Sequence, residues 1–141
     1  MSEFDLDWCF GRAEETLRSA IALRRANRDH VNLYFLSGLA VEHALWAIRT
    51  KRAGLRRPDY EALRPTHHLG RLARHGGLEE ELAQTMRRSH AFSAHWRAVV
   101  TWVSNARYAK VGAREALDLH NAVSDARTGV MPWLRTIYHG R

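Results

Sequence analysis

Arginine is the residue type in this sequence best suited to holding a charged ligand. Of the 141 residues, 20 are arginine and only two are lysine, and with 15 acidic residues the net charge is +7. A field of this sign attracts polyanions, nucleic acid first. Arg24, Arg25 and Arg28 lie near the end of a predicted helix, and on one face they would follow a phosphate backbone. A compositional preference for arginine gives the same net charge, so charge alone does not decide the function.

The nine histidines and the single cysteine do not form a metal-binding or nucleophilic pattern. No two histidines lie four residues apart on one predicted helix, and His-Glu-x-x-His does not occur, so we expect no metal site and no cofactor. Cys9 falls on the apolar stripe of the first predicted helix, where a free cysteine acts as a small hydrophobic residue. One cysteine also excludes an internal disulfide, which is typical of a reducing compartment.

Glu42 is the one acidic residue within the strongly apolar segment 30–52. Burying a carboxylate without a partner is costly, so we expect a partner such as Arg12, Arg71 or Arg107. A structural ion pair is the favoured interpretation of Glu42, and a functional group in a cleft is the alternative.

The elements that carry these residues are predicted to be helices. The chain has only three prolines and nine glycines, and no alternating strand pattern occurs in it. Pro132 is expected to kink the last helix or to restart it after Gly129. Residues 53–65 are predicted as a loop and 104–112 as a turn. Apolar spacing predicts helices from Ser2 or Asp5 to about Arg25, over about residues 30–52, from His67 to about His75, from Leu78 to about Val103, and from Ala113 to Tyr138.

This pattern predicts one all-α domain over residues 1–141, an up-and-down bundle of four long helices plus one short helix. The segment 30–52 is apolar on nearly every face, which indicates the central helix, and Gly38 would let another helix approach closely. No uncharged apolar stretch reaches the roughly 20 residues of a membrane span, and acidic residues crowd the start. We therefore expect a soluble cytoplasmic protein that does not bind membranes.

Five short motifs follow one another along the chain from Trp8 to Trp133. They are Trp8 with Ala13-Glu14, Ser37-Gly38-Leu39-Ala40-Val41-Glu42, His68-Leu69-Gly70-Arg71-Leu72, Arg107-Tyr108 and Trp133-Leu134. Their order resembles the HEPN family of small helical proteins. The resemblance implies a bundle that pairs two-fold around a cleft, and nucleotide or nucleic-acid contacts for Arg107 and Tyr108. Tryptophans and small residues on several helices also favour a homodimer.

HEPN proteins include metal-independent RNases and non-catalytic companions of minimal nucleotidyltransferases in toxin–antitoxin-like pairs. The RNases carry an arginine, four to six residues, and then a histidine. Arginine stabilises charge that develops on a phosphate, and histidine moves a proton near neutral pH. Four pairs have this spacing, as many as chance would place: Arg24 or Arg25 with His30, Arg88 with His95, and Arg114 with His120.

The sequence therefore favours a non-catalytic HEPN-like binding module for a nucleotide, RNA or a nucleotidyltransferase-type partner protein. The alternative is an endoribonuclease that uses Arg114 and His120, or another of the four pairs, at a dimer cleft.

Overall fold

The computed structural model describes residues 4–57, 59, 66–103 and 110–140. Within these ranges the chain is helical and has no strand, so the all-α prediction is confirmed. The described helices are α1 (Phe4–Ala26), α2 (His30–Arg52), α3 (Leu69–His75), α4 (Glu79–Arg88), α5 (His90–Val99), α6 (Ala113–Ser124) and α7 (Val130–His139).

α2 is the central helix, as its apolar composition predicts. It packs against α1, α3, α6 and α7, and it is buried over most of its length from Leu33 to Thr50. It is also the one helix among the described residues with the length and apolar composition of a membrane span, with a mean hydropathy of 1.3. Because 67% of that apolar window is buried inside the protein, the composition of α2 fits the core helix of a bundle.

Gly38 lets a side chain, rather than another helix, approach the backbone of α2. The indole ring of Trp102, which follows α5, lies directly against Gly38 and is 1% exposed. A Cβ atom at position 38 would overlap this ring. The glycine in α2 therefore makes room for the largest fully buried side chain of the core.

The prediction of one long helix from Leu78 to about Val103 is wrong, because two shorter helices occupy this segment. Ser89 takes an extended conformation between α4 and α5, and its hydroxyl accepts a hydrogen bond of 3.1 Å from the Phe92 N–H. Serine is a preferred N-cap residue, so a new helix begins where apolar spacing alone predicts continuation. Between α6 and α7, the Asp125 carboxylate accepts hydrogen bonds from the N–H groups of Arg127 (3.0 Å) and Thr128 (2.8 Å), which closes a turn.

The helix restarts directly after Gly129, as predicted from the sequence. Pro132 lies in the first turn of α7, where backbone N–H groups have no partner within the helix, so proline costs no hydrogen bond.

Arg135 and Tyr138, in the second half of α7, attach this helix to α1. The Tyr138 ring stacks on Phe10 with 4.2 Å between ring centroids, and the Tyr138 hydroxyl donates a hydrogen bond of 2.9 Å to Asp7. Arg135 forms two hydrogen bonds with the carboxylate of Glu14, at 2.8 and 2.9 Å. These contacts join the second half of α7 to the first half of α1.

Candidate anion-binding pocket

A pocket of about 550 Å³ lies where the end of α1, the start of α2 and the start of α6 meet. Its volume falls in the range of small-molecule binding sites. The structure thus brings Arg24, Arg25 and Arg28, the three arginines predicted to bind an anion, to one site and adds Arg114 to them. The lining residues are Leu23, Arg24, Arg25, Asn27, Arg28, His30, Leu33, Ala113, Arg114 and Leu117.

A tight turn between α1 and α2 places these arginines around the pocket. Arg24 and Arg25 occupy the last turn of α1, where their charges also suit the helix dipole. Asn27 and Asp29 then take left-handed backbone conformations, with φ of 52° and 57°, which these two residue types tolerate better than most. Asp29 caps α2 by accepting a hydrogen bond from the Asn32 N–H, so its carboxylate is engaged in the turn.

The charge of the pocket is strongly positive. No acidic side chain is among the described residues that line it. Arg24, Arg25 and Arg28 are exposed and form no ion pair with any residue that the structure describes. Arg114 is paired only at the surface, 3.3 Å from Asp118, with 87% of its side chain exposed. Three guanidinium groups are therefore free to hold one anion.

Two further features of the pocket suit a ligand that is part anion and part apolar. α6 begins at Ala113 with no side-chain hydrogen bond to its first N–H groups, and helix N-termini favour anions. Leu23, Leu33 and Leu117 add apolar surface to the lining.

His120 does not lie in this pocket. Its side chain is 1% exposed, and Nδ1 is 3.0 Å from the hydroxyl oxygen of Ser37, also fully buried. Burial, and after it the nearby charge of Arg24, lowers the pKa of His120 to about 4. His120 is therefore a neutral core residue at neutral pH.

The structure does not bring Arg114 and His120 together. The two residues are six positions apart in α6, which places them roughly 120° apart around the helix axis. Arg114 points to solvent, whereas His120 points into the core. His95 is also engaged in the fold, because its Nδ1 lies 2.9 Å from the Thr128 carbonyl oxygen.

His30 is the histidine that shares a site with arginines. It lines the pocket with Arg24 and Arg25, so two of the four arginine–histidine pairs have both members at one cavity. Both pairs have the required sequence spacing, but nothing in the sequence distinguishes them from the other two. Their side chains converge only because of the turn between α1 and α2.

Glu42 is buried, with 6% of its surface exposed, and its partner among the described residues is His67, not Arg12 or Arg71. His67 Nδ1 lies 2.8 Å from the carboxylate, while Arg12 pairs with Glu15 on the surface of α1. Burial raises the pKa of Glu42, and the hydrogen bond from His67 opposes that rise. The pair links α2 to the segment before α3, and Glu42 does not line the pocket.

Arg107 and Tyr108 lie outside the described residues. Across the ranges that the structure does describe, no group of three or more histidine, cysteine or acidic side chains is placed to hold a metal ion.

No protein-family model, curated protein or solved structure matches this chain. What the pocket binds is therefore inferred from its own residues and their charges.

Proposed function

We propose that this chain is a non-catalytic, HEPN-like binding module that holds the phosphate of a nucleotide or of RNA at Arg24, Arg25, Arg28 and Arg114. The observation that carries this proposal is the convergence of four arginines on one cavity with no acidic side chain among its described lining residues. Guanidinium groups match phosphate geometry and bind it through two parallel hydrogen bonds, so several of them around one cavity select for that anion.

Binding without cleavage is favoured because of His120. A neutral histidine that is 1% exposed and bonded to Ser37 has no path to a phosphate held at the surface by Arg114. The alternative function, a metal-independent endoribonuclease, is supported by a different pair. Arg24 and His30 line one pocket, where arginine would stabilise the phosphate and histidine would transfer the proton.

The assembly belongs to the same proposal. By resemblance to HEPN proteins we expect a two-fold homodimer in the cytoplasm, with a nucleotidyltransferase-type protein as the partner in a toxin–antitoxin-like pair. Trp8 supports an interface on α1, because its side chain is 61% exposed while Trp46, Trp96 and Trp102 are buried within the chain.

The test replaces Arg24, Arg25 and Arg28 together by glutamine and measures binding of a fluorescent single-stranded RNA by anisotropy over a series of salt concentrations. Each lost phosphate contact reduces the magnitude of the slope of log K against log salt by about 0.7. The slope of the triple variant should therefore be smaller in magnitude by about 2. Its affinity at low salt should fall at least about tenfold, because charged hydrogen bonds are lost.

The matched control is the triple glutamine variant of Arg71, Arg87 and Arg88, which removes the same charge from exposed positions outside the pocket. Equal losses in both variants would show that binding follows net charge and not the pocket. The same reactions are run on a gel. Cleavage that disappears in His30→Ala would establish the ribonuclease alternative, and intact RNA in every lane supports the binding module.

A further inference from the structure

A second cavity, of about 340 Å³, lies on the other side of Arg114, between α2, α6 and the end of α5. Arg114 lines both cavities and is the one described residue that they share. The second cavity differs from the first in having acidic side chains in its lining. Its polar lining includes Tyr34, Thr101, Glu115 and Asp118.

Tyr34 indicates that this cavity is built to receive a polar group. The residue is only 6% exposed, it lines the cavity, and its hydroxyl has no hydrogen-bond partner among the residues that the structure describes. Among the described residues Trp102 Nε1 is the buried side-chain atom that lacks a partner, so the Tyr34 hydroxyl itself reaches the cavity, where it is available to a polar group from outside the chain. Burial and the nearby Glu115 raise the pKa of Tyr34, so the hydroxyl keeps its proton at neutral pH.

The groups around Tyr34 define the ligand that fits. Glu115 and Asp118 offer carboxylate oxygens that accept hydrogen bonds, and the Thr101 hydroxyl, which donates to the Ala98 carbonyl, can also accept. Negative charge excludes a second phosphate from this side. A neutral group with several O–H donors is complementary, and carboxylates recognise the hydroxyls of ribose in this way in other nucleotide sites.

We propose that this second cavity is a ribose subsite, in which Glu115 and Asp118 accept hydrogen bonds from the 2′- and 3′-hydroxyls of a ribonucleotide and Tyr34 hydrogen-bonds to the sugar. The inference rests on the proposed function, since the phosphate of the same nucleotide lies across Arg114 against Arg24, Arg25 and Arg28. The ligand class is thereby narrowed from any phosphate to a ribonucleotide.

Calorimetric titration of the full chain with adenosine 5′-monophosphate, its 2′,3′-dideoxy analogue and inorganic phosphate tests this subsite. The ribonucleotide should bind about tenfold or more tightly than the dideoxy analogue, the effect of losing one or two hydrogen bonds to charged groups. The double variant Glu115→Gln with Asp118→Asn should reduce this preference to about twofold or less without weakening the binding of the dideoxy analogue or phosphate, because the Asp118 carboxylate competes with an anion for Arg114. Tyr34→Phe, which breaks no hydrogen bond in the described structure, should lower the affinity for the ribonucleotide about threefold.

The two proposals fail in different ways. Equal affinity for the ribonucleotide and the dideoxy analogue, or a preference that survives the double variant, would overturn the ribose subsite while phosphate binding stands. No binding of any of the three probes would overturn both. Glu80→Gln, which removes an exposed carboxylate of α4, is the control and should keep the full preference.

Discussion

Replacing His120 by asparagine should change how the stability of this protein depends on pH. The folded chain holds His120 neutral in the core, and its pKa of about 4 lies below the 6.5 of an unperturbed histidine. As the pH falls below 6.5, the unfolded chain takes up a proton at this residue and the folded chain does not until about pH 4. The contribution of His120 to stability is therefore lost between these two pH values and changes no further below them.

The size of the effect follows from the two pKa values. The pKa of His120 falls from 6.5 in the unfolded chain to about 4 in the folded chain. At 1.36 kcal/mol for each pH unit, the full loss of stability through His120 is about 3 kcal/mol, reached when both states are protonated. At about pH 5, His120 is protonated in most of the unfolded molecules but in few of the folded ones. Protonation of the unfolded chain then lowers the free energy of unfolding by about 2 kcal/mol. The free energy of unfolding of the wild type should thus fall by about 2 kcal/mol more than that of His120→Asn between about pH 7.5 and pH 5.

Urea unfolding followed by circular dichroism at both pH values measures this difference. His43, whose pKa burial also lowers, is present in both proteins, so the difference isolates His120. Ser37→Ala is the control. It removes the hydrogen bond but keeps the burial of His120, so it should lower stability at both pH values and retain the pH dependence of the wild type. Equal pH dependence in the wild type and His120→Asn would refute the placement of a neutral histidine in the core.

Two further predictions concern α2 and its neighbours. Gly38→Ala should lower the free energy of unfolding by about 1–3 kcal/mol, because its methyl group overlaps the Trp102 ring in a packed core. The control is Gly11→Ala, whose Cβ atom meets nothing within 4 Å. It should be neutral or stabilising in the same urea titration. Burial raises the pKa of Glu42 above 4.5, so the wild type loses stability as the pH rises through that pKa. Glu42→Gln does not titrate, and its free energy of unfolding should therefore increase relative to the wild type from about pH 4 to pH 7; a constant difference would contradict a raised pKa.

The sequence predicts the helices best where apolar spacing is the dominant signal. The burial of α2 follows from residues that are apolar on almost every face, and the restart after Gly129 follows from a glycine and a proline close together. The break at Ser89 is missed because the apolar pattern runs on through it. The break depends on one side chain, because the Ser89 hydroxyl takes the Phe92 N–H that a continuous helix would bond to a backbone carbonyl.

The candidate site shows the corresponding limit for function. Arg24, Arg25 and Arg28 are neighbours in the sequence, so their association could be anticipated. Arg114 could not be assigned to the same site, because its place there depends on α6 beginning beside the turn between α1 and α2. Burial separates His120 from Arg114 although the spacing pairs them, and a spacing rule carries no information on which way each side chain faces.

The attachment of α7 also has a consequence for how the chain is made in the cell. Arg135 and Glu14 are 121 positions apart, and Tyr138 and Asp7 are 131 apart. α1 and α2 follow each other directly and can pair while the ribosome is still translating the rest, since local contacts close small loops. The aromatic face around Phe10 stays open to water until α7 has left the exit tunnel, which makes the nascent hairpin a natural client for chaperones. A chain truncated before Tyr138 would leave the Phe10 ring without its stacking partner.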